Sequence, residues 1–289
     1  MMQWSFQNYI MLKSSRKKLI AIGCSYTEHY LSSIMTPDFD YNFPRWPQHL
    51  ADKLDMECVN LGQCGSGNKQ ILSKIINTVL TEKNIGIVVV MWSQFQRLDF
   101  EYSSTEWMQI NLDLDIDHLD DTHEFKLTKS LRDYKQKNFK ELHNPHSAIQ
   151  DALRTFILAE NLLKDIPHLY IQGPDAVSFY RTKKLLTDDN YRESKKKRVY
   201  TGTFFYPTSI IKLFFLSSYF DYVEKNLSEK FIGWPIMQEL GGYSVTNILD
   251  KLDPERTQLR ISKEDKHPNA EGHKIIAQEI YNAYEKVYI

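Results

Sequence analysis

The chain predicts an α/β fold: three layers, α/β/α, with a parallel sheet of about five strands in the middle. Three observations predict it. Continuous apolar runs at Leu19–Cys24 and Ile85–Trp92 read as strands buried on both faces. Segments of helical periodicity alternate with such runs along the chain, the mark of a parallel sheet with helices on both sides. Finally, Ser25, Gly62 to Asn68 and Trp92 to Arg97 all fall where strands end, the edge at which open parallel sheets gather functional groups.

In order, Leu19–Cys24 is the first strand. Pro47 to Leu54 is a short helical pattern, and Cys58–Leu61 the next strand. Ile71, Leu72, Ile75, Ile76, Val79 and Leu80 recur at helical spacing and predict an amphipathic helix, with Ser66 or Asn68 as its cap. Ile85–Trp92 is the central strand. A helix from about Ser147 to Lys164 leads into the strand His168–Gln172. A last helix, Ala270 to Tyr288, turns Ile276, Ile280, Ala283 and Val287 inward. The acidic, polar stretch around 101–144 and the charged stretch around 182–200, with Lys195 to Arg198, read as insertions in one domain spanning 1–289.

With 289 residues, 42% hydrophobic and 25% charged, the chain can bury a large core. Lys plus Arg number 36 against 37 Asp plus Glu, a net charge of -1, so no global nucleic-acid footprint exists. No apolar stretch reaches the roughly 20 residues of a membrane span. The N-terminal apolar segment precedes its basic residues and lacks a small-residue cleavage site, unlike a signal peptide. Cys24, Cys58 and Cys64 show neither a paired framework nor metal-ligand spacing, which predicts a reducing compartment and no metal. The expected location is the cytoplasm or a virus particle.

Two short motifs at opposite ends carry the chemistry. Gly23-Cys24-Ser25-Tyr26-Thr27 follows the first strand, and Asp265-Lys266-His267-Pro268-Asn269 precedes the last helix. If they meet, they supply a nucleophile, a base and an orienting carboxylate, the three roles of acyl transfer. Each has a simpler reading alone: a strand-to-helix turn, and a helix cap at Asn269. The turn Gly62 to Asn68 would suit a phosphate at a helix N-terminus, but it lacks the lysine of a P-loop. Asp113, Asp115, Asp117, Asp121 and Glu124 match calcium-loop positions, yet His118 stands where that loop needs glycine; the alternation reads better as a strand with one wet face. His273 reads as a helix-face residue, and Cys24 as a rival nucleophile beside Ser25.

In chain order, these blocks resemble the SGNH (GDSL-type) hydrolase family. Gly23-Cys24-Ser25 is similar to its Gly-Asp-Ser block, Asn60-Leu61-Gly62-Gln63-Cys64-Gly65 to its second, Trp92-Ser93-Gln94-Phe95 to its third and Asp265-Lys266-His267 to its last. The resemblance implies Ser25 as nucleophile and His267 as base. It implies an oxyanion held by the Ser25 and Gly65 backbone N–H groups and the side-chain amide of Gln94, which stands where the family has asparagine. The acid is Asp265 if the motif is read as Asp-x-His, and Glu264 if the strict family spacing holds. Trp92, Arg97, Asn68 and Trp234 are candidate substrate contacts, with Arg97 suited either to a substrate carboxylate or sulfate or to an internal salt bridge.

The implied activity is hydrolysis of an O-acyl ester, foremost O-acetyl, on a carbohydrate, through an acyl-enzyme and without metal or organic cofactor. The implied partner is a small ester or acylated glycan, with no nucleic acid or membrane; oligomeric state stays open. Two other readings also stay open: an O-acetyltransferase using the same triad, and a non-catalytic structural or glycan-binding module such as a virion protein.

Overall fold

The computed structural model describes residues 16–31, 36–101, 106–111, 145–176 and 210–289. Its strands are β1 (Lys18–Gly23), β2 (Glu57–Asn60), β3 (Ile85–Trp92), β4 (Arg97–Glu101), β5 (Trp107–Asn111), β6 (His168–Gln172) and β7 (Phe231–Ile232). Its α-helices are α1 (Trp46–Leu54), α2 (Asn68–Thr81), α3 (Pro145–Leu163), α4 (Ile210–Phe215), α5 (Ser218–Asn226), α6 (Val245–Leu252) and α7 (Ala270–Tyr288). Five strands form a parallel sheet in the order β2-β1-β3-β6-β7. The three-layer α/β/α architecture agrees with the sequence prediction.

Side chains alternate faces along a strand, and here both faces are dry. Ile20, Ile22, Val88, Val90, Trp92 and Tyr170 face one apolar cluster, which α2, α3, α4 and α5 complete. Leu19, Ala21, Ile87, Val89, Met91, Leu169 and Ile171 face the other, which α1, α6 and α7 complete. This double burial is why β1 and β3 read as unbroken apolar runs. After β1 the chain winds to β2 on one side, then crosses to β3 on the other. The β1/β3 boundary is therefore the topological switch point, where a crevice opens beyond the carboxyl ends of the strands.

Helix bounds fall within about two residues of those expected from sequence, but three details differ. In α2, Ile71 and Ile75 are buried, whereas Ile76 is 39% and Leu80 76% exposed, so the inward stripe is narrower than the apolar pattern. The N-cap of α2 is Gly67 rather than Ser66 or Asn68, and no side chain of the helix's own segment caps it. Asp99 on β4 caps it from outside, accepting the N–H groups of Gly67 at 2.9 Å and Gln70 at 3.0 Å. Third, the segment read as a polar insertion from residue 101 is preceded and entered by the antiparallel hairpin β4–β5, with Arg97 paired to Asn111. The Asp113–Glu124 pattern and the Lys195–Arg198 run lie outside the described residues. Among the described residues no helix is long and apolar enough to cross a membrane.

Candidate active site

Ser25 sits in a tight turn immediately after β1. The Thr27 and Glu28 N–H groups both donate to the Cys24 carbonyl, at 2.8 and 3.1 Å, which closes the turn. The Cys24 side chain enters the apolar cluster under α1 and α7 and is fully buried. The thiol is therefore withdrawn into the core, and the hydroxyl is the group presented beyond the strand end.

His267 comes from the loop before α7, whose shape several polar groups hold. Arg260 and Pro268 form an antiparallel bridge, and the Ile261 N–H donates to the His267 carbonyl at 2.9 Å. Arg260, 2% exposed, donates through Nη1 to the Lys266 carbonyl at 2.6 Å and through Nη2 to Asp250 at 2.9 Å, tying this loop to α6. Asn269 accepts from the Gly272 N–H at 3.1 Å and so caps α7, while its amide donates to the Gln258 and Arg260 carbonyls. The capping reading of this motif and the catalytic one are thus compatible.

The two ends of the chain meet. His267 Nε2 lies 2.8 Å from Ser25 Oγ, and its Nδ1 lies 2.5 Å from Asp265 Oδ1. The same carboxylate oxygen accepts the His267 backbone N–H at 3.1 Å. A carboxylate only accepts hydrogen bonds, so Nδ1 carries the proton and Nε2 is left to accept from the serine hydroxyl. Asp265 is 1% exposed, and Ser262 Oγ anchors its backbone N–H at 2.9 Å. Glu264 is exposed, and its carboxylate has no place in this series. Thr36 Oγ1 donates to Asp265 Oδ2 at 3.4 Å and is itself closely bonded to the Tyr41 hydroxyl. The rings of Tyr26 and Tyr30 stand edge-on to the imidazole, with centroids 5.4 and 5.7 Å away. Burial raises the pKa of both phenols, against an opposing pull from Arg260 on Tyr26, so they remain neutral walls.

The loop after β2 packs against the serine turn. Asn60 Nδ2 donates to the Thr27 carbonyl at 2.7 Å, and the Gln63 N–H to the Gly23 carbonyl at 3.0 Å. A side chain on Gly62 would place its Cβ 2.5 Å from the Glu28 nitrogen, so only glycine allows this approach. Gly65 occupies the third position of a turn closed by Ser66 N–H to the Gln63 carbonyl at 3.2 Å, with φ 77°, where a Cβ is disfavoured. Behind it runs a ladder of amides: Gln109 Nε2 donates to Gln70 Oε1 at 2.8 Å, and Gln70 Nε2 to Gln63 Oε1 at 3.0 Å.

Gln94 follows β3. Its Oε1 accepts from Arg97 Nε at 3.2 Å. Since a guanidinium can only donate, this contact fixes which end of the amide is oxygen and leaves the NH2 directed elsewhere. Arg97 also donates to the Ser66 carbonyl at 3.3 Å, so its fork braces the glycine loop and Gln94 rather than a salt bridge.

Three candidate substrate contacts need correction. Trp92 is fully buried between Phe156 and Tyr170, because the last inward position of β3 belongs to the core. Asn68 is 7% exposed and uses its Oδ1 to accept the Ser93 N–H at 2.8 Å, stapling the loops after β2 and β3 together. Trp234 packs among Phe214, Phe220 and Phe231. It follows β7, three strand spacings or about 14 Å from β1. His273 is buried and accepts the Trp46 N–H at 3.2 Å, a structural task. Among the described residues no group of three or more His, Cys, Asp and Glu side chains could hold a metal ion. Sequence reasoning missed Tyr30, Thr36, Tyr41, Arg45 and Arg260, which lie in loops without periodicity or motif spacing.

No family model matches the sequence, and no curated protein matches it. Solved structures similar to it include a lipolytic protein of the G-D-S-L family from Desulfitobacterium hafniense DCB-2, at 14% identity, 92% of this chain, 99% of that chain and a TM-score of 0.43. Another is a G-D-S-L family member from Veillonella parvula DSM 2008, at 11% identity, 94% and 98% coverage and a TM-score of 0.42. A third is an acetyl xylan esterase variant from Geobacillus stearothermophilus, at 14% identity, 92% and 94% coverage and a TM-score of 0.44. Likeness at this level says nothing about activity or substrate.

Proposed function

We propose that this chain is a single-domain serine ester hydrolase of SGNH type that works through an acyl-enzyme on Ser25. One observation carries the reading: a buried carboxylate, an imidazole and a hydroxyl stand in hydrogen-bonded series across a sequence separation of 242 residues. Ser25 Oγ attacks the ester carbonyl carbon as its proton passes to His267 Nε2. Asp265 holds the imidazole in the required tautomer and stabilises its positive charge. The oxyanion formed is held by the N–H groups of Ser25 and Gly65 and by the Gln94 amide. Collapse breaks the bond to the alcohol oxygen, which leaves with the proton from His267. Water, deprotonated by the same imidazole, then attacks the acyl-serine and releases the carboxylic acid. The motif resemblance points to an O-acyl ester on a carbohydrate, O-acetyl in the first place.

A fluorophosphonate probe mapped by mass spectrometry tests this without knowledge of the substrate. The expected result is one adduct, on Ser25, and loss of p-nitrophenyl acetate hydrolysis in Ser25→Ala. Equal hydrolysis by both proteins would remove the hydrolase reading. Acyl transfer to added glycan in preference to water would assign the same residues to a transferase.

A further inference from the structure

The last residue of β6, Gln172, is a polar amide at a core position. It pairs in register with Trp92 at the carboxyl end of β3 and is fully buried. Its Nε2 donates to the Ser93 carbonyl at 3.0 Å and the Pro174 carbonyl at 2.8 Å, with the Trp92 carbonyl farther, at 3.4 Å. A carbonyl oxygen only accepts, so the nitrogen is the end that faces them. The other end, Oε1, is buried and has no hydrogen-bond partner among the described residues. An orphaned acceptor costs stability. An apolar side chain of similar volume would avoid that orphan but would release both carbonyls.

The Ser93 carbonyl belongs to the peptide group that leads into Gln94. On one side of it, Asn68 Oδ1 accepts the Ser93 N–H at 2.8 Å; on the other, the Phe95 N–H donates to the Ala176 carbonyl at 2.8 Å. Three consecutive peptide planes, Trp92–Ser93, Ser93–Gln94 and Gln94–Phe95, are thus each pinned from elsewhere: by the start of α2, by the end of β6 and by the loop after β6. Ser93 and Gln94 lie between β3 and β4, outside any ladder, so these bonds take the place of a sheet. A peptide group is planar, so fixing the plane on each side of Gln94 fixes its φ and ψ and the direction in which its side chain leaves. Arg97 then holds the far end through Oε1 at 3.2 Å. This side chain has one more rotatable bond than the asparagine of the resembled family, so its amide depends more on a firm base.

We propose that Gln172 is a positioning residue for the oxyanion: it aims the Gln94 amide by fixing the peptide group from which that side chain springs. The inference rests on the proposed ester chemistry. A donor stabilises the transition state only if it already stands where charge develops, so a loosened Gln94 costs turnover rather than binding.

The test is a double-variant cycle on the full chain with p-nitrophenyl acetate, each protein checked by a melting curve. Gln172→Met, of similar volume, should lower kcat about 10- to 100-fold with KM little changed, a loss no larger than that of Gln94→Ala. The double variant Gln172→Met/Gln94→Ala should match Gln94→Ala alone within about twofold, because Gln172 acts through an amide that is already gone. Gln172→Asn, which keeps the NH2 but draws it back by one methylene, should show the same coupling, and it decides the matter if Gln172→Met does not fold. Losses that multiply in the double variant, wild-type kcat in a folded single variant, or a loss confined to KM would mark Gln172 as a merely structural amide and overturn the proposal. Ser25→Ala separates this failure from that of the chemistry. An inactive Ser25→Ala beside multiplying losses removes only the role of Gln172, whereas full hydrolysis by Ser25→Ala removes both.

Discussion

Replacing Asp265 by asparagine is the sharpest perturbation of the proposed mechanism, because it changes one atom of a buried side chain. The carboxylate is 1% exposed and accepts two N–H groups of His267 and the Thr36 hydroxyl. An asparagine fits the same space and can keep its oxygen toward His267, with its NH2 toward Thr36. What disappears is the negative charge that favours the Nδ1–H tautomer and stabilises the imidazolium formed during attack. A comparable substitution lowers kcat by roughly 10⁴-fold, equivalent to about 5.5 kcal/mol of transition-state stabilisation. The measurement is kcat for p-nitrophenyl acetate alongside the rate of fluorophosphonate labelling, with a melting curve to verify folding. Glu264→Gln, altering an exposed neighbour, should stay within about twofold. Near-wild-type turnover by Asp265→Asn, or a large loss in Glu264→Gln, would refute the assignment of the acid.

Three further outcomes follow from named contacts. Gln94→Ala should lower kcat by about 10²–10³ with KM little changed, the effect of one lost oxyanion donor; wild-type kcat would exclude that amide from the site. Asp99→Ala should destabilise the fold by about 1–3 kcal/mol, because Gly67 and Gln70 lose the acceptor that caps α2; an unchanged urea midpoint would contradict this. Glu160 should make stability fall in acid. Burial pushes its carboxyl up, but hydrogen bonds from His168 and Lys230 outweigh that and hold it at about 2, against an ordinary 4.5. A depressed folded pKa contributes fully above pH 4.5 and is lost as pH falls from 4.5 toward 2. The contribution is at most about 3 kcal/mol, and Glu160→Gln should flatten the pH dependence of the urea midpoint across that window. An equally steep slope in the variant would show that other carboxylates govern it.

Legibility of the fold tracked burial. β1 and β3, dry on both faces, left unbroken apolar runs, and α3 and α7 left long periodic ones. The two-residue β7 and the hairpin β4–β5 left neither, since a short edge strand carries too few residues for a pattern. The apolar stripe of α2 overstated its buried face because Ile76 and Leu80 point past the packing surface.

The amino-acid order alone determined that a serine would leave the first strand, that an Asp-x-His pair would precede the last helix, and that glycines would shape the loop after β2. Local chemistry suffices for these, because turns, caps and strand runs depend on neighbours a few residues away. Only the tertiary structure decided that His267 reaches Ser25, that Asp265 rather than Glu264 meets the imidazole, and that Cys24 turns into the core. It alone brought Thr36 to Asp265 and Asp99 to the start of α2. Those contacts join loops far apart in the chain, where no periodicity links one residue to the other and the burial of each depends on elements packed from elsewhere.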